Sequence, residues 1–126
     1  MAIVGAHHIA LRAVDFPAMK TFYTQTLGFP VVGSIPGSEI CFINIGGTTI
    51  ELIPAQGAQS VKPEAGFSHL ALEVDDVDAT YAELVDKGIK FAVLPRNAGD
   101  IRLAFFADPD GNELEIFQSP TLTWRK

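Results

Sequence analysis

The stretch "HIALRAVDF", residues 8–16, recurs as "HLALEVDDV" at residues 69–77. Self-similarity at a fixed offset marks an internally duplicated architecture, and it constrains the fold of a 126-residue chain more than any composition figure. The two halves also match beyond these lines. Gly28 has its counterpart at Gly88, and Glu51 in "IELI" has one at Glu115 in "LEIF". The spacing of these pairs is nearly that of His8 and His69, so the halves differ only by short loop insertions.

Each half reads strand, helix, then three strands. Residues 6–14 alternate apolar and polar, as a half-buried strand does. Asp15 and Pro17 signal a helix start, "AMKTFYTQTL" has helical spacing, and Gly28 suits its end. "FPVVGS", "EICFINI" and "TTIELIP" read as strands, the last two joined by a hairpin at Gly46-Gly47. In the second half "FSHLALEV" is a strand. Asp75 or Asp76 can cap "VDATYAELVDK", and Gly88 ends that helix. "KFAVLP", "IRLAFFA" and "NELEIFQ" complete the set, with the turn sequence "DPDG" before the last. The predicted class is α+β, two tandem βαβββ modules at about 5–54 and 67–118. A polar linker over about 55–66 joins them and a tail follows at 119–126, the whole making one domain of residues 1–126.

Strand side chains alternate between faces. Ile9, Leu11 and Ala13 therefore oppose His8, Ala10 and Arg12, and Leu70, Leu72 and Val74 oppose His69, Ala71 and Glu73. The apolar faces must cover the helices, so the histidines look the other way. By the same alternation Ile50, Leu52, Leu114 and Ile116 pack inward while Glu51 and Glu115 join the histidine faces. Two modules related by symmetry would bring His8, Glu51, His69 and Glu115 around one point. Imidazole with carboxylate suits a divalent Zn, Ni, Co, Fe or Mn ion. Four protein ligands would leave coordination positions open for catalysis. His7, on the opposite face, reads as structural or solvent-facing. Asp108 and Asp110 read as turn formers, and Cys41 as a buried small hydrophobe.

The net charge of −6 with nine scattered Lys and Arg argues against a nucleic-acid surface or a basic membrane patch. A single cysteine allows no internal disulfide and fits a reducing compartment. The N-terminus shows no signal peptide and no stretch long enough to span a membrane, so the expected location is cytoplasmic.

The segments "HHIALRAVDF", "FYTQTLGF", "IELIPA", "SHLALEVDDVDATYAELVDKG" and "AFFADPDGNELEI" resemble the vicinal oxygen chelate superfamily over about residues 5–118. That superfamily includes glyoxalase I, methylmalonyl-CoA epimerase, extradiol dioxygenases, and fosfomycin and bleomycin resistance proteins. The resemblance implies an incomplete barrel around one divalent metal, with His8, Glu51, His69 and Glu115 as ligands. The carboxylate at Glu51 is similar to glyoxalase I, whereas dioxygenases resemble a two-His, one-carboxylate set. It implies a glyoxalase I-type lyase acting on an α-ketoaldehyde–thiol adduct, with Glu115 as general base and Glu51 serving the opposite stereochemical face. Arg12 stands where glyoxalase I places an arginine for the glutathione carboxylate. The chain departs from that enzyme at Ala55, where Asn is usual, and only Lys62 is basic just before the second His. Arg102 is the candidate to replace a lost contact. "FINIGGTTIELIPA" looks like the corresponding segment of the epimerase, whose substrate is an acyl thioester. A binding protein of the bleomycin-resistance type is the alternative from another class. Phe42, Phe105 and Phe106 would offer it apolar surface, with Phe42 and Phe106 taken as substrate contacts. The family also implies a homodimer.

Overall fold

A computed structural model describes residues 6–55 and 67–121 of the chain. The expected linker beyond Ala55, Lys62 within it, and the tail beyond Thr121 lie outside the described residues. The chain divides into two compact units, residues 1–62 and 63–126.

In the first unit β1 (His8–Ala13) is followed by α1 (Phe16–Thr21), β2 (Val31–Ser34), β3 (Cys41–Asn44) and β4 (Thr49–Pro54). The sheet order is β1-β4-β3-β2, with β1 parallel to β4 and the other pairs antiparallel. In the second unit β5 (Leu70–Glu73) leads into α2 (Val77–Asp86), then β6 (Phe91–Ala98), β7 (Ile101–Ala107) and β8 (Glu113–Gln118). Its order, β5-β8-β7-β6, is the same with the same parallel pair. The duplicated βαβββ plan expected from the sequence is therefore the observed one.

The repeat extends to the helix caps. Asp15 accepts from the Ala18 amide at 3.1 Å, and its counterpart Asp76 accepts from the Ala79 amide at 3.1 Å. Each satisfies one of the amides a helix start leaves unpaired. The helices differ beyond that point. α2 is regular for ten residues, whereas α1 gives way at Phe22–Thr26 to a π-helical segment closed by the Leu27 amide on the Phe22 carbonyl at 2.9 Å. "TFYTQT" explains this, because threonines and aromatics are weaker helix formers than Ala or Leu. In addition, the Thr24 hydroxyl donates to the Lys20 carbonyl at 2.6 Å.

Each core lies between one sheet face and one helix. Phe16, Met19 and Tyr23 cover Cys41, Ile43, Ile50 and Leu52 in the first unit; Val77 and Leu84 cover Ala104, Phe106, Leu114 and Ile116 in the second. Burying each such large side chain contributes roughly 1.5–3 kcal/mol. Burial pushes the Cys41 thiol pKa up, with Lys20 opposing, so Cys41 behaves as the buried hydrophobe expected. Gly46 and Gly47 have φ of +88° and +91°, the left-handed pair a two-residue hairpin demands. Among the described residues no helix is long and apolar enough to cross a membrane.

Candidate functional site

The register of the parallel strands builds a cluster on the face away from each helix. On β1 and β4, Ala10 lies opposite Glu51 and His8 opposite Thr49. His8 and Glu51 thus share a face and sit diagonally. On the β1 side the small methyl of Ala10 stands beside Glu51, whose carboxylate reaches toward the imidazole. His8 Nε2 and Glu51 Oε1 are 3.4 Å apart. In the second unit Ala71 lies opposite Glu115, His69 immediately precedes β5, and His69 Nε2 is 3.0 Å from Glu115 Oε1.

A third member completes each cluster from the other side of the glutamate. Phe42 on β3 pairs with Glu51, and Phe105 on β7 pairs with Glu115. The His8 and Phe42 rings meet edge-to-face with centroids 5.6 Å apart; His69 and Phe105 do so at 5.1 Å. Each unit therefore presents the same His–Glu–Phe arrangement. Glu115 is the more enclosed carboxylate, at 6% exposure, while both imidazoles remain about one third open. Each histidine's second nitrogen also has a neighbour. His8 Nδ1 is 2.9 Å from His7 Nδ1, and His69 Nδ1 is 3.0 Å from Ser68 Oγ.

An imidazole nitrogen and a carboxylate oxygen at this separation form a two-donor set of the kind divalent ions favour. The structure brings His8 to Glu51 and His69 to Glu115. Among the described residues it gathers no group of three or more His, Cys, Asp or Glu fit to hold a metal.

Other expected site residues fall differently. Arg12 is exposed on β1, on the same strand face as His8 by alternation, and no ion pair engages it among the described residues. Arg102 is corrected. It shares its strand face with Ala104 and Phe106, and its guanidinium grips Asp78 in the first turn of α2 at 2.6 and 2.8 Å, with Asn97 at 3.0 Å. It ties the helix to the sheet on the side away from Glu115. Phe106 is corrected likewise: it is 1% exposed and packs on Phe91 with centroids 5.1 Å apart, inside the core. Phe105 stands in the place expected for Phe106. The strand register decides between the two, because the turn over "DPDG" pairs Ala107 with Glu113 and so sets Phe105 across from Glu115. His7 is exposed as expected, yet its ring turns to His8. It precedes the first residue of β1, so the pleat does not hold its side chain to the opposite face. Asp108 is a turn former, accepting from the Asp110 and Asn112 amides and the Asn112 side chain.

A family model described as the Glyoxalase/Bleomycin resistance protein/Dioxygenase superfamily matches residues 5–116. The chain is 34% identical over 128 residues to the uncharacterized protein YaeR of Escherichia coli (strain K12), covering 94% of this chain and 98% of that one. It is 30% identical over 122 residues to a protein of Synechocystis sp. named probable lactoylglutathione lyase, covering 89% of this chain and 93% of that one. Among solved structures it resembles TnmS3, an antibiotic-binding protein from Streptomyces sp. CB03234. The TM-score is 0.77 at 29% identity, with 94% of this chain and 98% of that chain covered.

Proposed function

The chain belongs to the Glyoxalase/Bleomycin resistance protein/Dioxygenase superfamily, and on that footing we propose that it is a metal-dependent lyase of the glyoxalase I type. The observation that carries this reading is the matched pair of His–Glu sets. His8–Glu51 and His69–Glu115 are built at equivalent registers, each with a carboxylate. His8, Glu51, His69 and Glu115 would together hold one divalent ion, drawn from Zn, Ni, Co, Fe or Mn. Such an ion, when bound, supplies Lewis-acid polarisation of a substrate carbonyl and so acidifies the neighbouring C–H.

The chain's own groups do the rest. Glu115 accepts the proton from the thiol-bearing carbon of an α-ketoaldehyde–thiol adduct and returns it to the adjacent carbonyl carbon, while the hydroxyl proton of the thiol-bearing carbon passes to the former carbonyl oxygen, giving a 2-hydroxy thioester. Its enclosure keeps that proton from exchanging with water. Glu51 serves the opposite stereochemical face. Arg12, exposed on the His8 strand, binds a carboxylate of the thiol moiety. Phe42 and Phe105 shield one flank of each pair. The relative named probable lactoylglutathione lyase supports this reaction class.

The test is to load purified protein with zinc or nickel and supply methylglyoxal with glutathione. Thioester formation is expected, and Arg12→Ala should raise KM more than it lowers kcat. Metal bound without thioester, or deuterium uptake from heavy water at the α-carbon of an acyl-CoA instead, would overturn the lyase in favour of an epimerase or another enolate reaction.

A second reading follows from the likeness to an antibiotic-binding protein together with the edge-on aromatic rings beside each histidine. In that case the chain sequesters a small aromatic molecule and needs no ion. Metal analysis of the purified protein separates the two: about one ion per chain supports the lyase, and none with tight aromatic-ligand binding supports the binder.

A further inference from the structure

We infer that the residue immediately before each site histidine, His7 in one unit and Ser68 in the other, is a positioning residue that decides which imidazole nitrogen is free to bind a cation; this rests on the metal reading above. A neutral imidazole carries one N–H, and the nitrogen without it supplies the lone pair. Beside a carboxylate the proton belongs on Nε2. Glu115 lies 3.0 Å from His69 Nε2 and Glu51 lies 3.4 Å from His8 Nε2. With the proton on Nε2, the Nδ1 atoms would be the acceptors, and each has a neighbour in reach: Ser68 Oγ lies 3.0 Å from His69 Nδ1 and His7 Nδ1 lies 2.9 Å from His8 Nδ1.

Binding a cation through Nε2 requires the reverse. The ring proton must sit on Nδ1, and Nδ1–H then needs an acceptor, because an oriented partner on the second nitrogen fixes the tautomer of a ligating histidine. Ser68 and His7 can each exchange roles. A hydroxyl rotates from donor to acceptor, and the His7 ring moves its own proton from Nδ1 to Nε2. A donor-only side chain at either position would hold its neighbour in the non-binding form. The His7 partnership is anchored at the backbone as well, since the Thr49 hydroxyl donates to the His7 carbonyl at 2.8 Å and the Thr48 hydroxyl to the Ala6 carbonyl at 3.1 Å. The two units thus reach one end with different chemistry at equivalent positions of the repeat.

The experiment measures zinc affinity of the full chain by competition with a chromophoric chelator, alongside side-chain N–H correlation spectra of the histidines with and without zinc. Zinc should move the proton of His8 and His69 from Nε2 to Nδ1. His7→Ala and Ser68→Ala should each weaken zinc binding by about tenfold, the lower end of the usual effect of losing a ligand's supporting partner. His7→Gln and Ser68→Thr, which keep a donor–acceptor group, should restore most of it. A loss of fold would appear in the melting curve and the backbone spectrum, and the conservative variants remain informative. Unchanged affinity in both alanine variants, with wild-type binding intact, overturns this inference alone. Absence of zinc binding by the wild-type chain overturns the metal reading and this inference with it.

Discussion

At the scale of single residues, the two glutamates are not equivalent. Glu115 is nearly enclosed and 3.0 Å from His69, while Glu51 is more open and 3.4 Å from His8. Both arise from the same placement, opposite an alanine on a parallel strand. On the proposed lyase reaction, the more enclosed carboxylate would be the better guarded base. On that reading Glu115→Gln keeps the shape and a side-chain oxygen while removing the base. Its lyase rate should fall by about two orders of magnitude or more, the scale of general-base loss, with the melting temperature little changed. Steady-state kinetics on methylglyoxal with glutathione, beside thermal melting, checks this. Alternation along β1 and β4 placed His8, Glu51 and their counterparts on shared faces in the sequence. The identity of the flanking aromatic was not readable in the same way, since either Phe105 or Phe106 fits an apolar strand, and only the register of the turn selects one.

At the scale of elements, the helices are attached to their sheets by different devices. α2 is held by the bidentate Arg102–Asp78 contact and by the Gln118 side-chain oxygen accepting from the Val77 amide at 2.8 Å. The Arg102 hydrogen bonds hold the Asp78 carboxyl below its ordinary value of 3.8. A carboxyl whose folded pKa is depressed stabilises the fold above its unfolded pKa and loses that contribution as pH falls through the folded value. The melting temperature of wild type should therefore exceed that of Asp78→Asn at pH 7. The gap should close as pH drops below about 3.8 toward full protonation. The effect is small, because Asp78 is more than half exposed and water screens the pair. Thermal melts of the two proteins across pH 2–7 measure it. In α1 the analogous position carries no such pair among the described residues, and the helix expected to run toward Gly28 stays helical to Thr26 but changes from α to π hydrogen bonding at Phe22. Summed local preferences of threonine and aromatic residues, together with one side-chain hydrogen bond, shift the backbone ladder there. Apolar spacing alone is blind to that competition.

At the scale of the whole molecule, the proposed four-ligand site would draw on two His–Glu pairs, His8–Glu51 and His69–Glu115, one from each kind of unit. We expect a homodimer at micromolar concentration, measured by sedimentation. A monomeric mass would contradict it. Mixing His8→Ala and His69→Ala chains then assigns the ligand set. If an ion is held by one unit from each of two chains, the mixed dimer contains one intact quartet and regains zinc binding. If each ion is held within one chain, every quartet in the mixture lacks a histidine and binding stays lost.

The duplication of residues 8–16 at 69–77, the caps Asp15 and Asp76, and the face shared by His8 with Glu51 and by His69 with Glu115 were all determined by the sequence itself. These are local properties, set by the alternation of strand side chains, the short reach of a capping carboxylate and the choice of turn residues, and they need no knowledge of distant neighbours. Pairing across strands decided what the period leaves open. It set Phe105 rather than Phe106 beside Glu115, turned Arg102 onto Asp78 instead of toward a ligand, and brought His7 and Ser68 against the second nitrogens of their neighbours. The physical reason is that periodicity assigns a side chain to a face, while its partner depends on register and on conformation just outside the strand, and both are fixed only when the strands meet.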